Sequence, residues 1–321
     1  MIDQSLLQQL AFGHFVSGEH LAERAGCSRA AIAKRVEQLR AAGILIEARP
    51  RLGYRLGHAY DWWRPERLAP LLPAALDVHV LPEVASTNDW LRALLAGSHE
   101  HGARTQLAIT DFQQGGRGRR GRSWLSPPGR QMTFSLGLTS EHGPLAWIGV
   151  ALAVGVELAE ALREAGWPVL LKWPNDILLD GAKLAGILVE MDAMAEGPSR
   201  VVVGVGLNEC LLPAERAQLD RPVAALGDRM PDYDRHALLA AMVARLDAML
   251  SRFPRDGLDA WLARWPALDA LRGRVVDFQR GDDWLSGVAL GVDAQGCLLL
   301  EAAEGRVRCH SGEVSVREVR A

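Results

Sequence analysis

The residue pattern changes twice along this 321-residue chain, and these changes constrain its fold more than any other feature. The first sixty residues combine helical periodicity with two short strand-like runs, whereas residues 78–271 alternate buried strands with helices. The last part consists of short strand-like runs separated by turns, which is typical of a small all-β barrel. Domains average ~150 residues, so this length indicates two or three of them. We place their boundaries at 1–62, 63–271 and 272–321.

The N-terminal pattern predicts a winged helix-turn-helix. Three segments have a periodicity that suits short helices: 4–12, Gly18–Ala25 and Arg29–Ala41. Ser28 is a suitable N-cap for the third helix, in which Ile32, Val36 and Leu39 share one face. Two strand-like runs follow, at 44–48 and 53–56, and are expected to pair as a small basic hairpin. Three helices followed by such a hairpin are typical of DNA-binding winged helices.

Charge is concentrated in the same part of the chain. Residues 1–60 carry eight Lys and Arg against five Asp and Glu, a net charge of +3, although the whole chain is at −3. The near-neutral total excludes a protein that coats nucleic acid by bulk charge, but a local basic surface suits contact with DNA phosphates. The candidate DNA-binding residues lie on the third helix and on the hairpin tip: Ser28, Arg29, Lys34, Arg35, Arg49 and Arg51. Taken alone, these charges could also form an ordinary solvated surface.

The sequence also indicates where the chain resides. The first ten residues lack the basic start of a signal peptide, and the most apolar run, 144–156, is 13 residues long. A membrane helix needs ~20 residues, so we expect this run to form part of a buried core helix over 145–165. The four cysteines are far apart in sequence and support neither a zinc site nor a disulfide framework. We therefore expect a soluble, cytoplasmic protein with no membrane partner.

A glycine- and arginine-rich segment, 113–122, is the most informative part of the middle region. It contains a formal G-x-G-x-x-G, but the dinucleotide-binding motif requires a helix here, and Pro127-Pro128 exclude one. We expect instead a mobile loop whose glycines let the backbone approach a ligand. Its four arginines offer forked donors for carboxylate or phosphate oxygens: Arg117, Arg119, Arg120 and Arg122. From composition alone, a plain surface loop or a nucleic-acid patch is an equal alternative.

A second informative segment runs from Lys172 to Glu190. Asp180-Gly181 between apolar runs predicts a β-hairpin, and Lys172 and Lys183 flank it, so both could reach one cavity. Asn175 and Asp176 follow Pro174 and could bind a nucleotide base and a magnesium ion. Without further support, turn chemistry and solvated lysines are the better explanation of these residues.

Four motifs, in this order and spacing, resemble those of the biotin–protein ligase family: Ser86-Thr-Asn88, QQGGRGRRGR, KWPNDILLDGAKLAGILVE and GVGLN208. The N-terminal Ser28-Arg-Ala-Ala-Ile-Ala-Lys34 is similar to the bifunctional form, which also represses the biotin biosynthesis operon. The resemblance covers essentially the whole chain. It implies an α+β protein with a winged helix-turn-helix, a central mixed α/β domain of the biotin/lipoyl ligase type, and a C-terminal SH3-like β-barrel.

The resemblance also implies site residues. A biotin site would be formed by polar groups that saturate the ureido ring in an apolar pocket: Ser86, Thr87, Asn88, Gln113, Arg117, Gly118, Arg119 and Lys183. ATP and the adenylate would be bound by Arg122, Lys172, Asn175, Asp176 and Asn208, with Mg²⁺ at Asp176. Lys183 and Arg119 are the implied catalytic residues, because their cations would offset repulsion between the biotin carboxylate and the ATP α-phosphate. Trp124 could cover the thiophene ring and the aliphatic tail.

The implied reaction activates biotin with ATP to biotinoyl-5′-AMP and transfers biotin to a lysine of the biotin carboxyl carrier protein, a subunit of acetyl-CoA carboxylase. The adenylate-bound homodimer would bind operator DNA of the biotin biosynthesis genes. The chain departs from the family pattern at 211–226, which contains no aromatic residue, and at the 49–53 hairpin tip.

Parts of the sequence pattern are also compatible with two other functions. A biotin-sensing regulator without turnover is disfavoured, because a sensor needs no residues for ATP phosphates. A ligase for another acid such as lipoate is disfavoured by the GRGRRG motif.

Overall fold

A computed structural model describes residues 3–10, 12–97, 104–193, 198–280, 283–310 and 312–316. The chain begins with three helices and a hairpin: α1 (Gln4–Gln9), α2 (Gly18–Ala25), α3 (Arg29–Ala41), β1 (Ile46–Arg49) and β2 (Gly53–Leu56). The predicted helix 4–12 is therefore shorter than expected, and its residue 11 lies outside the described residues. The predictions for α2, α3 and the antiparallel hairpin are confirmed.

Local chemistry explains this N-terminal unit. The Ser28 hydroxyl accepts the Ala31 N–H at 3.2 Å, which caps α3, and Gly43 takes a φ of +94° just past its end. The inward residues of α3 pack with Leu6 and Leu21 in a hydrophobic cluster separate from the main core. The unit therefore has a core of its own.

The middle of the chain builds one sheet with helices on both faces. In chain order its elements are α4 (Pro65–Leu68), β3 (Asp77–Leu81), α5 (Thr87–Gly97), β4 (Gln106–Thr110), β5 (Gln131–Ser140), α6 (Val150–Glu164), β6 (Leu170–Lys172), β7 (Asp176–Leu179), β8 (Ala182–Ala193), β9 (Ser199–Asn208), α7 (Pro213–Arg216), α8 (Arg235–Asp256) and α9 (Asp259–Leu262). Within the described residues, seven strands pair in the order β3-β4-β5-β9-β8-β7-β6. β3 and β4 run parallel, and the other neighbours are antiparallel.

Strand alternation divides the sheet into two faces. Leu107 and Ile109 of β4 join the main core, whereas Ala108 packs beneath α5. The segment Pro144–Glu164, which includes α6, is long and apolar enough to cross a membrane by length and composition. However, 67% of its most apolar 18 residues is buried inside the protein. Its partners are α8 and the sheet. The prediction of a core helix is confirmed.

The C-terminal part forms β10 (Val275–Arg280), β11 (Asp283–Val292), β12 (Leu298–Ala302), β13 (Gly305–Cys309) and β14 (Glu313–Val316). In the described residues these strands make one antiparallel sheet in the order β13-β12-β11-β10-β14, which agrees with the predicted C-terminal β domain. Its Val276 and Phe278 belong to the same hydrophobic cluster as the central sheet. The Trp173 indole N–H donates to Gly296 O at 2.9 Å, so this domain braces the chain just before Asn175.

The linker between the N-terminal unit and the sheet is firmly held. The Arg235 guanidinium lies 3.8 Å from the centre of the Trp63 ring and 2.6 Å from Glu209, and the Trp63 N–H donates to Asp111. Burial raises the pKa of the Asp111 carboxyl to about 6, against the opposing effect of Arg235. Residues around 62 thus contact both units, and the boundaries 1–62, 63–271 and 272–321 stay predictions.

Candidate active site and DNA-binding surface

A cavity of about 750 Å³ opens on the α5 face of the sheet. The segments around it are the start of α5, the glycine-arginine loop (residues 113–125), the β7–β8 hairpin, β9 and the stretch 211–223. Alternation directs Gly204 and Gly206 of β9 toward this face, as it does Val202, which packs under α5. The absence of side chains at these two glycines makes room for the cavity.

The floor of the cavity is a bonded set of polar side chains. The Gln113 side-chain oxygen accepts the Thr87 N–H at 2.9 Å and lies 3.2 Å from the Thr87 hydroxyl. The Ser135 hydroxyl is 2.7 Å from both Thr87 Oγ1 and Asn88 Oδ1. The Ser86 hydroxyl accepts the Asp89 N–H at 3.2 Å and so caps α5. The five residues whose side chains form these bonds are buried: Ser86, Thr87, Asn88, Gln113 and Ser135. Hydrogen bonds within the protein therefore hold the floor in place.

Trp124 forms one wall of the cavity. A Cβ placed on Gly206 would lie 2.5 Å from its indole, and one on Gly186 would lie 3.2 Å from it, so the ring packs directly on two glycines. Its indole nitrogen is buried and has no hydrogen-bond partner among the described residues. A buried donor without a partner costs free energy, which a ligand that accepts its hydrogen bond would recover.

Lys183 and Asp176 meet in the middle of the cavity. The Lys183 ammonium is 2.6 Å from the Asp176 carboxylate, on adjacent strands of the hairpin, and 5.6 Å from the centre of the Trp124 ring. Both side chains are mostly buried, at 19% and 16% exposure. The expected turn is present, since Asp180 and Gly181 take positive φ values of 51° and 81°. A cation and a carboxylate are therefore available at one point, each able to exchange its partner for a ligand.

Asn175 and Asn208 line the cavity, but their side-chain amides are hydrogen-bonded to other parts of the protein. The Asn175 amide donates to Ile187 O at 2.7 Å. The Asn208 side chain accepts from Gln131 at 2.9 Å and donates to Ala224 O at 2.8 Å. These two asparagines position the hairpin and the 211–226 segment, which the sequence alone did not indicate.

The glycine-arginine loop closes on itself as expected for a segment without an α-helix. The Gly118 N–H donates to Arg122 O at 2.7 Å, the Trp124 N–H donates to Gly116 O at 2.8 Å, and a single 3₁₀ turn covers Arg119–Gly121. Arg119, Arg122 and Lys172 border the cavity. Arg117 forms ion pairs with Asp89 and, at 3.6 Å, with Glu190.

The 211–226 segment orders without an aromatic residue. The Lys183 N–H donates to Pro222 O at 3.0 Å and the Ala224 N–H donates to Lys183 O at 2.9 Å, so the segment adds to the edge of the hairpin beside the catalytic candidate. The buried Arg130 binds Glu215 through two bonds of 2.8 and 2.6 Å. This ion pair joins the segment to the chain that follows the glycine-arginine loop.

Most candidate DNA-binding residues are accessible. Arg29, Lys34, Arg49 and Arg51 are exposed, and Arg51 has a φ of 66° at the hairpin tip. Ser28 serves as the N-cap of α3. Arg35 differs, because its guanidinium is paired with Asp3 and approaches Cys27. Contact between Arg35 and DNA would require breaking that pair, so its role stays a prediction.

The described residues contain no group of three His, Cys, Asp or Glu side chains that could enclose a metal ion. Mg²⁺ in nucleotide sites is commonly held by one or two carboxylates together with substrate phosphates. Asp176 is paired with Lys183, so it could contribute to such a site only once that pair has opened.

Sequence reasoning missed Ser135, Glu190 and Arg130. Thr133 and Ser135 are the two polar residues within the otherwise apolar run 132–138, a signal that could have marked the cavity face of β5. The partners of Glu190 and Arg130 lie far away in sequence, and no local pattern marks them.

Three family models match successive parts of the chain. An HTH domain matches residues 3–55, the biotin/lipoate A/B protein ligase family matches 82–208, and the biotin protein ligase C-terminal domain matches 273–317.

Individual relatives agree with these matches. The bifunctional ligase/repressor BirA of Salmonella typhimurium is 37% identical over 315 residues, which are 98% of this chain and 97% of that protein. The biotin--[acetyl-CoA-carboxylase] ligase of Paracoccus denitrificans is 34% identical over 230 residues, covering 68% of this chain and 91% of that protein. The solved biotin protein ligase from Aquifex aeolicus in complex with biotin and ATP has a TM-score of 0.62 at 27% identity, covering 75% of this chain and 98% of that one. With the cavity, the winged helix and a 37% identical relative along nearly its whole length, the chain belongs to the biotin–protein ligase family in its bifunctional ligase/repressor form.

Proposed function

We propose that this cavity converts biotin and ATP to biotinoyl-5′-AMP and then transfers biotin to a lysine of a carrier protein. The observation that carries the proposal is the placement of a buried neutral polar floor next to the Lys183–Asp176 pair in one cavity. The floor suits an uncharged ring with donors and acceptors, and the ion pair suits a reaction between two anions.

Biotin would lie with its ureido ring on the floor. The ureido carbonyl and N–H groups match the side chains of Ser86, Thr87, Asn88 and Gln113, which can exchange some of their mutual bonds for bonds to the ring. Trp124, packed on the glycines of β8 and β9, would cover the thiophene ring and the tail. Arg117 and Gly118 of the loop would border the bound biotin from above.

The chemistry that follows requires no side-chain nucleophile. A carboxylate oxygen of biotin attacks the α-phosphorus of ATP, the bond to the bridging oxygen breaks, and pyrophosphate leaves. Lys183 and Arg119 would reduce the repulsion between the two anions and stabilise the charge that develops on the α-phosphate. Arg122, Lys172, Asn175 and Asn208 form or position the nucleotide end of the cavity.

Mg²⁺ would neutralise the departing pyrophosphate when bound. Asp176 is the residue of this chain that would hold it, together with the phosphates of ATP. Lys183 would then leave Asp176 and turn toward the reacting carboxylate.

In the second step the lysine amine of the carrier attacks the acyl carbon of the adenylate and AMP leaves with the phosphate oxygen. The relative in Paracoccus denitrificans is named for acetyl-CoA carboxylase, and we propose the biotin carboxyl carrier protein of that enzyme as the acceptor. With such a partner, we propose that the reaction takes place in the cytoplasm. The closed glycine-arginine loop would keep water from the mixed anhydride until the carrier arrives.

For repression, we propose that the adenylate-bound protein forms a homodimer that binds operator DNA of biotin biosynthesis genes. One winged helix of net charge +3 makes few phosphate contacts, so specific binding needs two copies on a two-fold-symmetric site. The accessible residues Arg29, Lys34, Arg49 and Arg51 are the proposed contacts, with Ser28 at the helix start.

Ligase activity is tested by incubating the protein with biotin, ATP, Mg²⁺ and a biotin carrier domain, and then probing with streptavidin. The carrier domain should become labelled, and omission of ATP should abolish the label. Binding of biotin without any labelling would instead indicate a sensor. Lipoate in tenfold excess should not compete.

Repression is tested by gel-shift titration with an imperfect inverted repeat from upstream of biotin genes. DNA binding should tighten with biotin plus ATP, but not with biotin plus a non-cleavable ATP analogue. Deletion of residues 1–60 should abolish DNA binding and leave the ligase fold intact. Equal affinity with and without adenylate would contradict the proposed switch.

A further inference from the structure

We infer that Asp89 is a positioning residue for the ligase reaction: with Glu190, it anchors Arg117 and so holds the glycine-arginine loop over the biotin end of the cavity. We call Asp89, Glu190, Arg92 and Asp192 the acidic anchor. The inference deepens the proposed function by assigning the group that fixes the loop.

Backbone bonds hold the base of the loop to the segment before α5, since the Gln114 N–H donates to Val84 O at 3.0 Å and the Gly115 N–H donates to Ala85 O at 2.7 Å. Beyond the base, two backbone bonds run within the loop itself, from the Trp124 N–H to Gly116 O at 2.8 Å and from the Gly118 N–H to Arg122 O at 2.7 Å. The Arg117 guanidinium adds a tie to the helix and the sheet, because it bonds to the Asp89 carboxylate and lies 3.6 Å from Glu190.

The acidic anchor is itself tightly organised. Arg92 binds Asp192 through two bonds of 3.0 and 2.7 Å and lies 3.9 Å from Asp89 and 3.7 Å from Glu190. The Arg92 guanidinium lowers the pKa of the Asp192 carboxyl, which keeps that group ionised. Bidentate pairs have a defined geometry, so Asp89 and Glu190 present their oxygens to the loop from a rigid support.

The charge balance of the anchor explains why it attracts Arg117. Three carboxylates face Arg92 within the anchor, and Arg200, which lies opposite Asp192 on β9, also lowers the pKa of the Asp192 carboxyl. The two guanidiniums leave one negative charge uncompensated, and Arg117 supplies the matching cation.

The anchor also reaches the floor of the cavity. The Asn88 amide donates to Glu190 at 2.8 Å, while its oxygen lies 2.7 Å from the Ser135 hydroxyl. Asp89 is the next residue along α5. The loop and the biotin floor are therefore fixed to the same short stretch of helix, which sets the gap between them.

The anchor is tested with Asp89→Ala, because the Asp89 side chain is 43% exposed and pairs with Arg117 and Arg92, whereas its contact with the floor is made by the backbone N–H, which the substitution keeps. We expect the KM for biotin to rise about tenfold, corresponding to ~1.4 kcal/mol, and labelling of bystander proteins to increase as the adenylate escapes. The rate of adenylate formation at saturating biotin should stay within about twofold of the wild type, because Lys183 and Arg119 are unaltered. Asp256→Ala is the matched control, since Asp256 forms an exposed ion pair with Arg252 far from the cavity.

A charge exchange separates pairing from a general effect on α5. Arg117→Glu and Asp89→Arg should each raise the KM for biotin, and the double variant should recover most of the loss. A double variant no better than the worse single variant would overturn the inference, as would an unchanged KM in Asp89→Ala.

Tryptic cleavage of the unliganded protein reports on the anchor without any activity. Cleavage after Arg119 or Arg120 should be faster in Asp89→Ala than in the wild type and slow again in the double variant. If the wild type failed to biotinylate a carrier, the proposed function would fall while this cleavage test would still decide on the anchor.

Discussion

At the floor of the cavity, Thr87, Asn88 and Gln113 are buried and joined by hydrogen bonds, partly through Ser135. At its rim, Arg117, Arg120 and Arg122 are exposed and Arg119 is half-buried, on a loop that Arg117 ties to Asp89. The floor is preorganised for a neutral ring, because no large rearrangement is needed before a ligand binds. The rim carries the positive charge that the proposed reaction between two anions requires. Binding of a neutral ring and reactivity toward ATP are thus assigned to different parts of the cavity.

The largest effect should come from Lys183, which stands between floor and rim. Lys183→Ala should slow adenylate formation by about 10²–10³-fold, because a preorganised cation is lost where charge develops. Biotin affinity should fall far less, since the floor is intact. Single-turnover assays with labelled ATP measure the rate, and biotin titration measures affinity. An unaltered rate would remove Lys183 from the chemistry.

The preorganised floor can be broken sterically. Gly206→Ala should weaken biotin binding about tenfold or more, because a Cβ there would lie 2.5 Å from the Trp124 indole and overpacking costs ~1–3 kcal/mol. Gly97→Ala is the control, since its added Cβ would have no atom of the described residues within 4 Å, chain neighbours and its own helix backbone aside. Calorimetric titration with biotin provides the measurement. Wild-type affinity in Gly206→Ala would mean that the Trp124 wall moves freely.

The rim is probed by Arg119→Gly. This variant should still form the adenylate but release it on the order of tenfold faster, a change of ~1.4 kcal/mol, because the loop loses a contact to the bound product. Streptavidin blots of a mixture of carrier and bystander protein show the release as indiscriminate labelling. Arg306→Gly, an exposed site on the C-terminal sheet, should leave labelling confined to the carrier. Strict carrier labelling by Arg119→Gly would contradict a retaining role for the rim.

The last effect acts on stability rather than on the ligase reaction, and it concerns Asp111, a buried carboxylate next to the linker. Its folded pKa of about 6 lies above the ordinary value of 3.8, so the folded protein binds an extra proton between these pH values. Stability from this group therefore falls as pH rises through that window. In Asp111→Asn this dependence should disappear.

Urea unfolding of both proteins between pH 4 and 7 measures the effect. The free energy of unfolding of the wild type relative to Asp111→Asn should rise as pH is lowered, by at most about 1.4 kcal/mol per pH unit. Parallel pH curves for the two proteins would show that the buried carboxyl is not perturbed.

Features set by neighbouring residues were predictable from the sequence. The bounds of α2 and α3, the Ser28 cap and the Asp180-Gly181 turn depend on backbone preferences within a few positions. The exclusion of a helix at the glycine-arginine segment depended equally on the local Pro127-Pro128. The candidate site residues taken from the family motifs all line one cavity. Which of them touch a ligand is still a prediction.

Features set by distant partners were not predictable. Arg35 is predicted from the sequence to contact DNA from the face of α3, but its guanidinium is paired with Asp3, the N-cap residue of α1. Asn208 is predicted to bind the nucleotide, yet its side-chain amide is hydrogen-bonded to Gln131 and to the Ala224 carbonyl. Such partners meet only after the chain has folded, and no spacing along the sequence encodes them.

Gly129 lies five residues after Trp124 and has a φ of +63°, and a Cβ there would come within 2.6 Å of Trp62 and 2.7 Å of Tyr60. Five residues span at most ~18 Å even when extended, so little slack separates the cavity wall from the aromatic stack next to the winged helix. A substitution between Trp124 and Gly129 is therefore expected to affect both the ligase reaction and DNA binding. In genetic terms the two activities are linked through one short piece of backbone, and a single change there is expected to be pleiotropic.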